Sequence, residues 1–223
     1  MEFDAPRVSV REDAERPPDV PKKDWSITPA AKAIAETRQS MMDRTCAELL
    51  WIEAAHVLQA STAFKVRQAN DIVKQLEIQD PGAHIPPPLS ASDEADMASG
   101  RMEAIGRHVG GNLTEQLVRD RPRLQDTLER VKFVCKELWT VVWDKQIDNL
   151  RTNHRGVFVL QDQALKTLAA LGQTDRTNAY VAMQLAYAAG LIQGAMERLG
   201  VPCSVQVDAE FLPICAFHVR VPS

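Results

Sequence analysis

Cysteine is scarce in this chain, and its cysteines are far apart. The 223 residues include four, Cys46, Cys135, Cys203 and Cys215, and no two of them form a C-x-x-C pair. The five histidines are equally scattered. Because a zinc site requires clustered ligands, this spacing argues against one. Each cysteine falls in an apolar, periodic segment, so we predict reduced, mostly buried thiols of a cytosolic protein, with no metal and no cofactor.

Excess positive charge and long apolar runs are also missing. The formal net charge of −4 gives no reason to expect nucleic acid as a partner, because nucleic acid binds to a basic face. Glu2 and Asp4, without an apolar run near Met1, predict no secretory signal. Gly190 and Gly194 match the form of a transmembrane dimerisation motif. The apolar stretch around them is too short to span a membrane and contains glutamines, so we predict no membrane span.

No nucleophile with an adjacent base is evident. Cys46 and His56 are ten residues apart on one predicted helix, nearly three turns, which is too far for contact. Cys215 and His218 lie on a predicted strand and would face opposite sides of it. The carboxylates are spread over solvated helix faces. We therefore predict that the protein is not an enzyme, and that a hydrolase with an unrecognised site is the weaker alternative.

Proline and charge divide the chain. Residues 1–40 carry five prolines among charged side chains and few aliphatic ones, which predicts a flexible Pro-rich tail. Residues 41–223 are predicted to form one domain, interrupted by a Pro-rich loop at about 78–92. Helices are predicted over 43–61, with a broken continuation to about 76, and then over 92–119, 123–152 and 174–199.

Strand signals fill the remaining positions. The run 157–160 has the composition of a buried strand, and 164–168 is predicted to return beside it. Residues 203–209 and 215–221 alternate apolar and polar around a Leu212-Pro213 turn, which predicts an antiparallel hairpin with one buried face. The order ααα-ββ-α-ββ predicts an α+β domain with a four-stranded antiparallel sheet.

The second predicted helix contains Gly106, Gly110 and Gly111. Glycine inside a helix costs up to about 1 kcal/mol relative to alanine, so these residues predict close approach by another backbone. A phosphate-binding loop would need a preceding strand and a following Lys-Ser/Thr pair, and neither is present.

The run KQIDNLRTNHRGVFVLQD, residues 145–162, is the most distinctive in the chain. Together with 105–120, 128–143, 191–200, 203–221 and a looser match over 46–58, it resembles the small subunits of the transport protein particle (TRAPP), specifically the subunit-six family. The resemblance implies the α/β plait of that family, with four main helices packed on the sheet. We predict that a structural signature sets the corner between the third helix and the first strand; its residues are Asp148, Asn149, Leu150, Arg151, Thr152, Asn153, His154 and Gly156.

The resemblance implies a role in assembly. Small subunits of this family pair through their first two helices with a sibling of the same fold and join other TRAPP subunits. The complex acts in vesicle tethering between endoplasmic reticulum and Golgi and as a guanine nucleotide exchange factor for a Rab GTPase. This subunit would reach the GTPase only through the complex, as a cytoplasmic protein held peripherally at cis-Golgi and intermediate membranes. A related subunit carries an acylated cysteine between its second and third helices, and the corresponding residues 118–125 here contain none.

The first predicted helix is apolar around most of its circumference, and the second has a glycine-rich face. One sheet with one layer of helices cannot cover both sides of all of them, and uncovered apolar area on a soluble chain marks a partner site. We predict pairing contacts at Leu49, Leu50, Ile52, Leu113 and Leu117. A binder of a small apolar or acyl ligand in an internal cavity remains the alternative function.

Overall fold

The computed structural model describes residues 28–31, 43–80, 82, 84–153, 156–169 and 179–222. The chain divides into two units, Met1–Met42 and Asp43–Ser223. In the first, the described residues form a helical turn that Thr28 caps by accepting the N–H of Ala31 at 3.2 Å. The rest of the predicted tail lies outside the described residues.

Six α-helices and one π-helical turn are labelled here in chain order. The bounds are α1 Arg44–Gln79, α2 Ala91–Val118, α3 Thr127–Phe133, the π-turn Val134–Leu138, α4 Trp139–Trp143, α5 Lys166–Ala169 and α6 Ala179–Arg198. The first helix is one continuous element of 36 residues, so the predicted break near Ser61 does not occur.

Four antiparallel strands form one sheet in the order β1-β2-β4-β3. Their bounds are β1 Asn149–Thr152, β2 Val157–Asp162, β3 Ser204–Phe211 and β4 Ile214–Arg220. The predicted α+β fold and the C-terminal hairpin are therefore confirmed.

One face of the sheet packs on the helices. Leu160 pairs with Phe217 across β2 and β4, and both side chains are fully buried. Phe217 also meets the buried ring of Trp139 at a centroid distance of 5.5 Å. Full burial of side chains of this size stabilises the fold by about 1.5–3 kcal/mol each. The alternation of apolar and polar residues along the strands therefore predicts correctly which face of the sheet packs against the helices.

The helix predicted over 123–152 extends too far towards the C-terminus. It ends at Trp143, because Asp144 adopts a left-handed conformation at φ 56° and its N–H donates to the carbonyl of Thr140. The first strand then begins at Asn149 instead of after Gly156. The π-turn, which the sequence did not predict, precedes this end; the carbonyl of Cys135, in that turn, accepts the N–H of Ile147 at 3.0 Å.

The predicted strand over 164–168 is also wrong. Those residues form a turn followed by the short helix α5, because a carboxylate oxygen of Asp162 accepts the N–H of Ala164 at 2.9 Å and bends the chain away from the sheet. Gly156, at φ 79°, belongs to the β1–β2 turn and does not cap a helix. A side chain there would place Cβ 2.8 Å from the carbonyl oxygen of Val221.

The second helix begins at Ala91, one residue before the start predicted at residue 92. Ser90 is the cap: its Oγ accepts the N–H of Asp93, and a carboxylate oxygen of Asp93 accepts the N–H of Ser90 at 2.7 Å. The hydrogen bonds that the Ser90 hydroxyl and the Ser90 backbone N–H donate to the Asp93 carboxylate lower the pKa of Asp93. The acidic residues here thus begin a helix, as the sequence indicates.

Candidate partner interface

The first helix is attached to the body of the protein along one face. Its buried or half-buried side chains recur three or four residues apart, as helix geometry requires of one stripe; they are Trp51, Ala55, Leu58, Thr62 and Val66. This stripe meets α2 and α6, the two helices that lie nearest to α1 in the fold.

Aromatic and polar contacts hold that face in place. The ring of Trp51 lies 4.4 Å from the ring of Tyr187, and its Nε1 donates to the buried Oε1 of Gln184 at 2.9 Å. On the α2 side, the guanidinium of Arg101 donates to Thr62 Oγ1 at 2.7 Å and to the carbonyl of Leu58 at 3.3 Å. The position of α1 is therefore set by specific hydrogen bonds as well as by apolar contact.

A second apolar stripe lies on the opposite side of α1, facing solvent. Leu50, Val57 and Phe64 are 63%, 58% and 63% exposed, and each lies seven residues after the one before. Seven residues are close to two helical turns, so the three side chains lie almost in line along the helix. We call these three residues the α1 stripe. An exposed row of large apolar side chains on a helix whose other face is already packed is typical of a docking surface.

The predicted pairing residues on α1 are exposed, but they do not share one face. Leu49 is 62% exposed and Ile52 39%. At about 100° per residue, both lie on one flank of the helix, away from Leu50. Val57 and Phe64, which do line up with Leu50, were not among the residues predicted from the sequence. Their seven-residue spacing is visible in the sequence and could have identified them.

The predicted pairing residues on α2 are less exposed. Leu113 and Leu117 are half-buried and pack against the core of the domain. The more exposed apolar side chains of this helix are Met97 and Ile105, which are 39% and 38% exposed. Substitutions at Leu113 or Leu117 therefore act on folding as well as on any partner contact.

The glycine-rich face of α2 is covered by α6, which corrects the expectation that it faces a partner. A Cβ on Gly110 would lie 2.1 Å from the carbonyl oxygen of Leu191, and a Cβ on Gly194 would lie 1.9 Å from that of Arg107. The two helices thus touch backbone to backbone. The sequence correctly predicted a close backbone approach, and the approaching backbone belongs to this chain.

Asp148, the first of the predicted signature residues, lies at the corner between α4 and the sheet. The carboxylate of Asp148 accepts the N–H of Gln163 at 2.7 Å and the ammonium of Lys145 at 3.0 Å. Lys145 also donates to the fully buried Asp162 at 2.6 Å, and the other oxygen of Asp162 accepts the indole N–H of Trp139 at 2.8 Å.

The remaining signature residues lie along β1 and its turn. Residues Asn149, Leu150, Arg151 and Thr152 form β1. Asn153 accepts the N–H of Val157 at 3.2 Å through its side-chain oxygen, which closes the turn towards β2. Of the predicted set, His154 lies outside the described residues.

Electrostatics reinforce the corner. Burial disfavours the charged form of Lys145, but its hydrogen bonds and charge interactions with Asp162 and Asp148 outweigh that effect and raise its pKa. The backbone N–H of Gln163 is the largest influence on Asp148 and lowers its pKa, with Lys145 adding to the effect. Both groups are therefore ionised around neutral pH, and their role here is structural.

Three of the four thiols are poor nucleophiles because they are partly or wholly buried. Burial raises the pKa of Cys135 and of Cys215 to about 12 and that of Cys203 to about 11, so these thiols are protonated at neutral pH. Cys46 is exposed on α1, contrary to the expectation for a buried thiol. Within the part of the chain that the structure describes, no three metal-ligating side chains cluster. Among the described helices, none is both long and apolar enough to cross a membrane.

Two surface depressions have charged residues in their linings. One of about 260 Å³ lies along the α2–α6 seam and is lined by Arg107, His108, Gly111, Gly194, Glu197 and Arg198. A second, of about 570 Å³, lies on the strands β3 and β4 and is lined by Gln206, Val207, Asp208, His218 and Arg220. Such linings suit polar contacts and do not support an apolar ligand.

Comparison with known proteins agrees with this reading. The family model described as transport protein particle (TRAPP) component matches residues 48–222. The trafficking protein particle complex subunit 6b of Danio rerio is 36% identical over 137 residues, which cover 60% of this chain and 87% of that protein. Subunit 6A of Homo sapiens is 36% identical over 140 residues, covering 63% and 87%.

A more distant likeness is to a solved structure. The trafficking protein particle complex subunit 3 of Naegleria fowleri, covalently bound to palmitic acid, covers 74% of this chain and 96% of its own, with 11% identity and a TM-score of 0.43. That likeness is too remote to carry a functional argument. The family match over most of the chain and the identity to the subunit 6 proteins are sufficient: this chain belongs to the TRAPP component family, as a small subunit of the subunit-six type.

Proposed function

We propose that this protein is a non-catalytic subunit of the TRAPP vesicle-tethering complex, which it joins by pairing with a sibling small subunit of the same fold. The observation that carries the proposal is the exposed α1 stripe of Leu50, Val57 and Phe64 on a helix whose opposite face is already packed. Leaving such a row in water costs about 25 cal/mol for each Å² of apolar surface, which a partner would recover.

The pairing surface in this proposal consists of residues 49–64 of α1 and the exposed part of α2. The stripe forms its centre, Leu49 and Ile52 its flank, and Met97 and Ile105 the contribution of α2. Leu113 and Leu117 belong to it only through their exposed edges. A stable pair buries about 1,600 Å² in total, so both helices are needed.

The cellular role follows from membership in such a complex. In this proposal the subunit acts in transport from the endoplasmic reticulum to the Golgi and contacts other TRAPP subunits. It meets a Rab GTPase only through the exchange assembly. It is cytoplasmic and is held peripherally at cis-Golgi and intermediate membranes by the complex.

The experiment is co-expression with sibling small subunits, followed by chromatography with mass detection. We expect a one-to-one complex. Leu50→Asp should weaken it at least about tenfold, since a carboxylate would lose its water without gaining a partner. Gln75→Asp is the matched control, because Gln75 is exposed on the same side of α1 but eleven residues beyond Phe64.

Two outcomes would contradict the proposal. One is that the chain stays apart from every sibling subunit at micromolar concentration. The other is that Leu50→Asp and Gln75→Asp pair equally well, which would place the interface elsewhere.

A further inference from the structure

The connection between α1 and α2 contains a motif that the proposed function does not use. Residues 85–89 read IPPPL, and the three prolines, Pro86, Pro87 and Pro88, are exposed. We call these five residues the proline run; none of them belongs to a helix or a strand. Proline fixes its own φ and restricts the residue before it to extended conformations. The run is therefore held in the polyproline II conformation, which makes no hydrogen bonds within itself.

The proline run is anchored at its C-terminal end. The side chain of Asn70, on α1, holds the backbone of Leu89 with two hydrogen bonds. The N–H of Leu89 donates to Oδ1 at 2.7 Å, and Nδ2 donates to the carbonyl of Leu89 at 2.9 Å. The next residue, Ser90, is extended at φ −87° and ψ 173° and caps α2. The run is thus tied to both helices, and a segment already held in its bound conformation loses little conformational entropy when a partner binds it.

The exposed edges of the run are apolar. A polyproline II helix has three residues per turn, so Pro86 and Leu89 share one edge, and Pro87 lies on another. The third edge contains Ile85, which is half-buried, whereas Leu89 is 37% exposed. The run therefore rests against the protein through Ile85 and presents two apolar edges to solvent. Domains that recognise polyproline II helices bind such edges in grooves lined by aromatic side chains.

The charge around the run is acidic. No lysine or arginine occurs between Lys74 and Arg101. The same interval contains five carboxylates, which are Glu77, Asp80, Asp93, Glu94 and Asp96. A polyproline-binding groove with an acidic pocket for an arginine would find no such cation here and would meet like charges instead. The complementary groove has a basic rim.

We propose that the proline run binds a polyproline-recognition domain of another protein, in an aromatic-lined groove with a basic rim. The aromatic side chains of that domain contact Pro86, Pro87 and Leu89, and its basic side chains face the neighbouring carboxylates. The inference goes beyond the proposed function and does not depend on it, because the exposed stripe of α1 ends at Phe64, before Asn70. It gives the subunit a second partner, which binds at a different surface from the sibling subunit.

Titration of the full chain against purified SH3, WW and EVH1 domains, chosen to include basic and acidic groove rims, tests the proposal. We expect a Kd below about 100 μM for at least one domain with a basic rim. The affinity should fall as salt concentration rises, because salt screens the attraction between the rim and the carboxylates.

Two variants locate the binding site. Pro87→Ala combined with Pro88→Ala should weaken binding at least about tenfold, because two of the three prolines are lost. Pro17→Ala combined with Pro18→Ala is the matched control, since these are the other consecutive prolines of the chain, and we expect a change of less than about twofold. Asn70→Ala keeps every proline but removes the anchor, and it should weaken binding about threefold.

The proposal would be overturned if no domain of the panel bound the chain, if domains with acidic rims bound more tightly, or if the variant at Pro87 and Pro88 bound as well as the parent. A synthetic peptide of residues 84–92, added in excess, should displace the parent chain from the domain, and this competition does not depend on the folding of any variant. A peptide that failed to compete would also overturn the proposal. Pairing of the same double variant with a sibling subunit should be unchanged, so that failure of the proposed function and failure of this inference are separate results.

Discussion

The first helix and the α2–α6 pair make contact in opposite ways. At the α2–α6 seam, glycines bring two backbones together with no room for a methyl group. On α1, the contacts are made by side chains. Trp51 and Thr62 attach one face to α6 and α2 through ring contact and hydrogen bonds, and the other face is exposed to solvent. The seam joins two helices of one chain tightly, whereas the outer face of α1 remains exposed to solvent.

Under the proposed function, this difference would separate the contacts that fold the chain from those that assemble it. Backbone contact through glycine tolerates no larger residue, so the seam is specified wholly within the chain. Large exposed side chains can be buried by a partner or left in water at a modest cost in stability. Substitutions should therefore unfold the protein at the seam and leave it folded but unpaired at the α1 stripe.

The largest effect is expected at the seam. Gly110→Val should destabilise the protein by about 3 kcal/mol or more, because the new Cβ would overlap the carbonyl of Leu191 and force the helices apart. Urea denaturation would measure the free energy of unfolding. Gly100→Ala is the control: apart from the adjacent backbone of its own helix, no atom lies within 4 Å of its Cβ position, and it should stabilise α2 by about 0.5–1 kcal/mol. Equal stability of the two variants would show that the seam is loose.

The two faces of α1 should then differ from each other. Ala55 is 1% exposed, so Ala55→Asp should cost about 3 kcal/mol by burying a charge against α2 and α6. Leu50→Asp, on the opposite face, should change the stability of the isolated chain by less than about 0.5 kcal/mol. Circular dichroism during thermal unfolding would compare them. A large loss of stability in the Leu50→Asp variant would mean that residues of this chain itself cover the α1 stripe.

The smallest effect concerns pH and the corner around Lys145. The pKa of Asp148 is lowered in the folded protein, so its contribution to stability is present above its unfolded value of about 3.8 and is lost as pH falls through the folded value. The pKa of Lys145 is raised, so its contribution is lost only as pH rises above about 10.5. Between about pH 3.8 and pH 10.5, this pair should therefore make a contribution to the free energy of unfolding that does not change with pH.

Asp148→Asn should remove part of the acid dependence. The substitution should change the free energy of unfolding by less than about 1 kcal/mol, because Asp148 is partly exposed to solvent. Urea midpoints at pH 3 and pH 7 would measure it. If the variant and the parent lose the same stability between those pH values, the acid sensitivity belongs to other carboxylates.

Much of the fold could be read from the sequence, and the errors have physical reasons. The alternation around Phe217 and the glycines of α2 predicted the hairpin and the close helix approach, because both patterns are local consequences of backbone geometry. The end of the third helix was misplaced, since Asp144 closes it with a left-handed turn, while Ile147 and Leu150 beyond it keep the apolar spacing of a helix. The strand predicted at 164–168 failed because a buried Asp162 turns the chain there.

The candidate interface was predicted less well. Leu50 was identified correctly as exposed, while Val57 and Phe64 were overlooked although their spacing was visible. Leu113 looked equally suitable in the sequence, yet it packs against the core. An apolar residue on a helix has the same appearance in a sequence whether its own chain or a partner covers it.

By itself, the order of amino acids determined the fold class, the family and the two apolar stripes of α1, because side-chain periodicity follows from the helical and strand repeats. Tertiary structure alone decided which stripe is buried and that the glycines of α2 face α6. Burial depends on which elements come together in space, and that information lies in contacts between residues far apart in the chain.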